Sequence, residues 1–134
     1  MMEKITVSWF DENKTAVLCT YNGEGWTLED FYDALEQQRA LIESVDRPKV
    51  HVLVDVRRTG WIPKGASLLP AMRKMSSGRH PRQGQTIIVG AHGTVAEIAK
   101  TASKLMWPTR QELRFATTLE EAMVILNYWE TTHS

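Results

Sequence analysis

Residues 50–56 read VHVLVDV. A nearly continuous β-branched and apolar run, without polar alternation, suits a central strand covered on both faces. It ends in Asp55 and is followed by Arg57-Arg58-Thr59 and then by residues 60–67, GWIPKGAS. Helical spacing resumes at Leu68, so the segment between is a strand-to-helix loop. In an open α/β sheet the carboxyl ends of such strands are where ligands and partners sit. The assignment of this one strand therefore sets both the fold and the place to look for function.

The flanking elements follow the same logic. Ile5, Val7 and Trp9 alternate with polar residues, the period of a half-buried strand. After the polar turn 11–14, Thr15–Tyr21 reads as a second strand, and the two form an antiparallel hairpin. Asn22-Gly23-Glu24-Gly25 breaks it. Thr27 and Asp30 stand at capping-box spacing before Leu28, Phe31, Ala34, Leu35, Leu41, Ile42 and Val45, which predicts an amphipathic helix from 28 to about 44. A short helix is expected over 68–76, with Pro70 in its first turn where a missing amide costs little. Residues 76–84 read as a loop and Thr86–Val89 as a buried strand. Thr94 and Glu97 form a capping-box pattern for a helix to about Leu105, which Trp107-Pro108 stops. A short strand around Leu113 and Phe115 and a helix from a second box, Thr118 and Glu121, to about Tyr128 complete the chain.

The order is β-β-α-β-α-β-α-β-α. It predicts one α/β domain over 1–134, with a mixed sheet of about five strands and about four helices. The first strand joins antiparallel and the rest are parallel.

Composition sets limits. In 134 residues, 43% are hydrophobic and 24% charged, as in soluble globular domains. No apolar run approaches the roughly 20 residues of a membrane span. The first residues, MMEKITVSWFDENK, carry charge where a secretory leader is apolar, so a cytoplasmic location is expected. Cys19 is the single cysteine; it lies in an apolar run and reads as a buried, inert thiol. The formal net charge is zero, which argues against nonspecific nucleic-acid binding. The charge is nevertheless uneven: Arg57, Arg58, Lys64, Arg73, Lys74, Arg79 and Arg82 precede any acid until Glu97. Such a run makes one region positive, unless acids from elsewhere balance it.

The loop at 60–67 invites comparison with the phosphate-cradling pattern G-x-x-x-x-G-K-[S/T]. Gly60, Gly65 and Ser67 match, but Ala66 replaces the lysine that neutralises phosphate, and Pro63 removes a backbone amide. A nucleotide-hydrolysing loop is not expected, and no cofactor is. His51, His80, His92 and His133 lack metal-site spacing, so no metal is expected either. No G-x-S-x-G elbow surrounds the serines. Asp55 is the one acid beside the loop; it acts either as a base or as an acceptor that fixes loop amides. A single carboxylate is not a mechanism, and no catalytic residue is assigned. His92, in a Gly-flanked loop, either approaches a ligand or sits in a simple turn. Trp61 and Ile62 are large apolar residues in a surface loop. They either fold back as a lid or stand exposed as anchors for a partner.

The layout from Ile5 to about Leu126 resembles the STAS domain (sulphate transporter and anti-sigma-factor antagonist), in its SpoIIAA-like branch. The resemblance rests on the hairpin leading to a long helix, on VHVLVDV with its irregular loop and short helix, and on Thr117-Thr118-Leu119-Glu120-Glu121-Ala122, similar to the family's closing strand and helix start. It implies a non-enzymatic regulatory module that binds a protein partner, a kinase or anti-sigma-like regulator, or a second copy of itself as a homodimer. In regulatory members an Asp-Ser pair after that strand is phosphorylated. Here the corresponding positions, Pro63-Lys64 or Lys64-Gly65, lack it. Ser67 and Thr59 are the nearest hydroxyls and the weak phosphorylation candidates. The expected surface comprises Asp55, Arg58, Thr59, Gly60, Trp61, Ile62, Lys64, Ser67, Arg73, Arg79 and His92. Some domains of similar topology are thought to bind anionic or acyl ligands, which makes a small-molecule site at the same sheet end the alternative.

Overall fold

The computed structural model describes residues 3–106 and 113–133. Trp107-Pro108, expected to stop a helix, lies outside the described residues. Strands β1 (Ile5–Trp9), β2 (Ala16–Tyr21), β3 (Val50–Asp55), β4 (Gln83–Val89) and β5 (Leu113–Ala116) alternate with helices α1 (Leu28–Glu43), α2 (Leu68–Ser77), α3 (Gly93–Met106) and α4 (Leu119–His133). They form one five-stranded sheet in the order β1-β2-β3-β4-β5. The first pair is antiparallel and the other three are parallel. The α/β architecture and the order of its elements are those expected from the sequence.

Sequential parallel strands joined by right-handed crossovers place every connecting helix on the same face. The core divides accordingly. Val17, Cys19, Val52, Val54 and Ile88 pack on that face against Phe31, Ala34 and Ile42 of α1, Ala71 and Met72 of α2, and Ala99 and Ala102 of α3. On the opposite face Ala16, Leu53, Ile87, Val89 and Ala116 pack against Ala122 and Leu126 of α4. Every residue of β3 is buried, as a strand covered from both sides requires.

Local signals explain the helix starts. Thr27 accepts a hydrogen bond from the Asp30 amide at 3.1 Å, and Asp30 Oδ2 accepts one from the Thr27 amide at 2.9 Å, a complete capping box. Glu121 donates its amide to Thr118 Oγ1 at 3.0 Å, while its carboxylate turns back to Thr117. The Thr94–Glu97 box is a correction. The helix already begins at Gly93, whose φ of 74° turns the chain, and Thr94 makes no capping hydrogen bond among the described residues. β4 also begins earlier than expected, at Gln83. Its first residues are polar and buried: the Gln83 side chain donates to Thr86 Oγ1 at 2.8 Å and the Gln85 amide to His51 Nδ1, while Gln85 Oε1 has no partner among the described residues.

His51 ties the second face together. Its Nδ1 accepts from the Gln85 amide at 2.9 Å, so Nε2 carries the proton and donates it to Glu130 of α4 at 3.1 Å. Burial, the largest influence, lowers the pKa of His51; the Glu130 hydrogen bond and charge only partly offset it. A buried neutral histidine binds fewer protons than the unfolded chain does below about pH 6.5. Its contribution to stability is therefore complete above that pH and is lost as pH falls toward the lowered value. Thermal unfolding is expected at a lower temperature at pH 5.5 than at pH 7, and His51→Gln should shrink the difference. An equal difference in both proteins would contradict this role.

Candidate functional site

At the carboxyl end of β3 the chain turns through a compact loop. The amides of Thr59 and Gly60 donate to the Val56 carbonyl, and the Ile62 amide donates to the Thr59 carbonyl. Gly60 has φ 62° and Trp61 φ 70°. A left-handed bulky residue is uncommon and costs roughly 1–2 kcal/mol. The loop is pinned to the end of β2: the Gly25 amide donates to the Ile62 carbonyl at 2.9 Å, and the Lys64 amide donates to the Trp26 carbonyl at 2.8 Å.

Trp61 is fully buried. Its ring stacks on Trp26 at 6.2 Å and 25°, with Tyr21 edge-on at 6.4 Å. The two readings divide between the two residues: Trp61 folds inward and is not available as an exposed anchor, while Ile62 stays exposed. The strained backbone is held because burying the indole yields more than the left-handed turn costs. Tyr21 is pushed upward in pKa by burial, with Trp61 as a slight counterweight. The contact falls short of a hydrogen bond, and among the described residues neither the Trp26 nor the Trp61 indole N–H has an acceptor.

Asp55 is mostly buried and fully engaged. Arg57 Nε and Nη2 donate to its two oxygens, both at 2.9 Å, and the Arg57 amide adds a third bond at 3.1 Å. Burial is the largest influence on this carboxyl and raises its pKa. The Arg57 hydrogen bonds, with the charges of Arg57 and Arg58, outweigh it and hold the group below its ordinary value. A carboxylate with its acceptors occupied and its proton disfavoured is a structural acceptor. Asp55 accordingly fixes its own loop.

Arg57 had no place in the expected surface. The signal was a carboxylate and an arginine two residues apart, together with a glycine just past the end of the neighbouring strand. Gly90 (φ 84°) lies against Arg57: a Cβ there would stand 2.3 Å from Arg57 Cγ. Only glycine leaves that passage open.

The remaining residues divide into three groups. Arg58, Ile62, Lys64 and Arg73 are exposed, Ile62 to 39%, and Leu69 on α2 adds an apolar side chain 44% exposed. His92 is exposed and lies against Gly60, where an added Cβ would be 3.0 Å from Nε2; its Nδ1 is 3.0 Å from the Gly90 carbonyl. Ser67 precedes α2, half-buried, and donates to the Lys64 carbonyl at 2.8 Å. Thr59 is buried, and its hydroxyl accepts from the Trp61 amide at 3.2 Å. It is therefore inaccessible to a kinase in this conformation, a correction to its candidacy. Arg79 is the other correction. Its guanidinium donates to the carbonyls of Gln83 and Gly84, at the amino end of β4 and the opposite end of the sheet. Arg82 is likewise structural, donating to the Ile42, Val45 and Arg47 carbonyls at the end of α1. The basic run of the sequence is thus split between two ends of the molecule.

Among the described residues no cluster of histidine, cysteine and carboxylate side chains has the geometry to hold a metal ion. Burial pushes the Cys19 thiol up to about 12, too high for a nucleophile at neutral pH. No described helix is long and apolar enough to cross a membrane. No protein-family model matches the chain, and no curated protein matches it either.

Proposed function

We propose that the chain is a non-enzymatic, STAS-like regulatory module that binds a protein partner through the carboxyl end of its parallel strands. The observation that carries this reading is the pairing of exposed apolar and cationic side chains around a braced loop. Ile62 and Leu69 are exposed, as are Arg58, Lys64 and Arg73 in the same loop-to-helix segment, and residues 57–96 contain no acid. An apolar centre with a cationic rim suits a partner surface that is apolar and acidic. Trp61, Trp26 and the Asp55–Arg57 pair act beneath it by holding the loop in place. Ser67 is the one hydroxyl of the segment left as a phosphorylation candidate; a phosphate there, of about −2, would offset most of the local positive charge and weaken binding of an acidic partner.

The test is affinity capture from the native cell extract with the wild-type chain and with Ile62→Asp. The substituted side chain is exposed, so the unfolding midpoint should stay within about 0.5 kcal/mol of wild type. A partner captured by the wild type should be lost by at least tenfold with Ile62→Asp and kept by Val124→Asp on α4. Equal loss with both variants, or with neither, would place the contact elsewhere.

A further inference from the structure

Between α1 and α2 a surface groove of about 570 Å³ is lined by Tyr32, Leu35, Glu36, Arg39, Lys74 and Gly78. Beneath it lies an internal cavity of about 30 Å³, and Leu35 and Gly78 line both. The cavity walls are largely apolar, with Phe31, Val52, Val54 and Met75 among them, but its floor is not. Cys19 Sγ donates to Gln38 Oε1 at 3.5 Å, Gln38 Nε2 to Gln83 Oε1 at 3.3 Å, and Gln83 Nε2 to Thr86 Oγ1 at 2.8 Å. Each glutamine amide carries a second hydrogen and Thr86 a hydroxyl proton. No acceptor for these three takes part in a hydrogen bond among the described residues.

Burying such a chain in an apolar layer is costly unless its spare donors are used. A cavity of this size admits one or two water-sized groups. We infer that the α1–α2 groove is a binding site for a small neutral carbonyl compound with a slim apolar stem. The carbonyl oxygen enters the cavity and accepts from Gln38, Gln83 and Thr86, and the stem lies along Tyr32, Leu35 and Met75. Arg39, on the groove wall, donates to the Gly78 carbonyl at 3.1 Å. A carboxylate suits the floor poorly, since among the described residues no cation lines the cavity to offset its desolvation. Met75 is the adaptable wall, its unbranched side chain able to change rotamer as the stem enters. The site is at a different place from the sheet-end surface and does not depend on it.

Octanamide is a suitable probe, with octanoate as its charged counterpart, followed by ¹⁵N–¹H and methyl NMR. Octanamide should give saturable shifts in the side-chain amides of Gln38 and Gln83 and in the Met75 methyl. Octanoate should bind at least tenfold more weakly. Leu35→Trp, which fills the groove, should abolish the shifts, and Gln38→Leu should weaken binding at least tenfold if Leu35→Trp fails to fold. No saturable shift, equal binding of octanoate, or binding unchanged in the variant that folds would overturn the assignment.

Discussion

Trp61→Ala is expected to lower the unfolding free energy by about 3 kcal/mol. Truncating a buried tryptophan typically costs about 3–5 kcal/mol through lost transfer energy and the cavity left behind. Trp61 is fully buried against Trp26 and Tyr21, so the upper part of that range applies to the side chain. Two terms pull the other way. One unpaired indole N–H disappears from the interior, worth about 1 kcal/mol. Alanine also bears the left-handed conformation at φ 70° with less crowding than an indole. Urea unfolding, read by tryptophan fluorescence and by far-ultraviolet dichroism, measures the difference. A loss below about 1 kcal/mol would mean that the loop carries the indole without depending on it. Because the substitution acts on the core, loss of partner binding in Trp61→Ala says nothing by itself about the contact surface.

Gly90→Ala is expected to destabilise the chain by about 2–4 kcal/mol and to lower Tm by roughly 10 °C, taking about 3–5 °C per kcal/mol for a domain of this length. Where the backbone permits it, Gly→Ala stabilises by about 0.4–1 kcal/mol through the unfolded chain. Here two observations reverse the sign. The φ of 84° disfavours any side chain, and the new Cβ would meet Arg57 Cγ at 2.3 Å and Arg57 Cα at 2.8 Å. Arg57 Cα is backbone and cannot swing away, so β4 and the loop after β3 must part. The Asp55–Arg57 bonds are the first to suffer. Their loss should also shift acid sensitivity: Asp55, with its pKa lowered in the fold, contributes stability that is present above pH 3.8 and lost as pH falls through the lowered value. Stability profiles from pH 7 to pH 3 should therefore show a smaller acid-induced loss in Gly90→Ala than in wild type. A variant as stable as wild type would mean that Arg57 is not held where it is found.

The elements that were legible in the sequence are those whose signals are local. VHVLVDV announced a strand buried on both faces because no polar residue had to be placed on a wet side. Thr27 and Asp30 announced a helix start because the capping box is closed within four residues. The beginning of β4 was hidden, since Gln-Gly-Gln-Thr looks like a loop until Gln38 and His51 arrive from distant elements as partners. Within the proposed surface, the directions of individual side chains were not legible. A tryptophan between a glycine and a proline offers no local sign of which way it points; that depends on Trp26 and Tyr21, more than 30 residues earlier. Arg79 looked like its basic neighbours, and only the topology, which returns the chain to the amino end of the sheet, assigns it to carbonyls there. Gln38, by contrast, sits at the spacing of Phe31, Ala34 and Ile42. Its inward position was available from helical periodicity alone.

The central claim is that the working surface is the exposed rim of the braced loop at the carboxyl end of the sheet. Amide hydrogen exchange of the chain, free and bound to a captured partner, tests it most directly. Slowed exchange confined to residues 58–73 and the turn at 91–93, with the outer face of α4 unchanged, is the predicted footprint. Protection centred on α4 around Val124 and Tyr128, with residues 58–73 exchanging as in the free chain, would contradict the account.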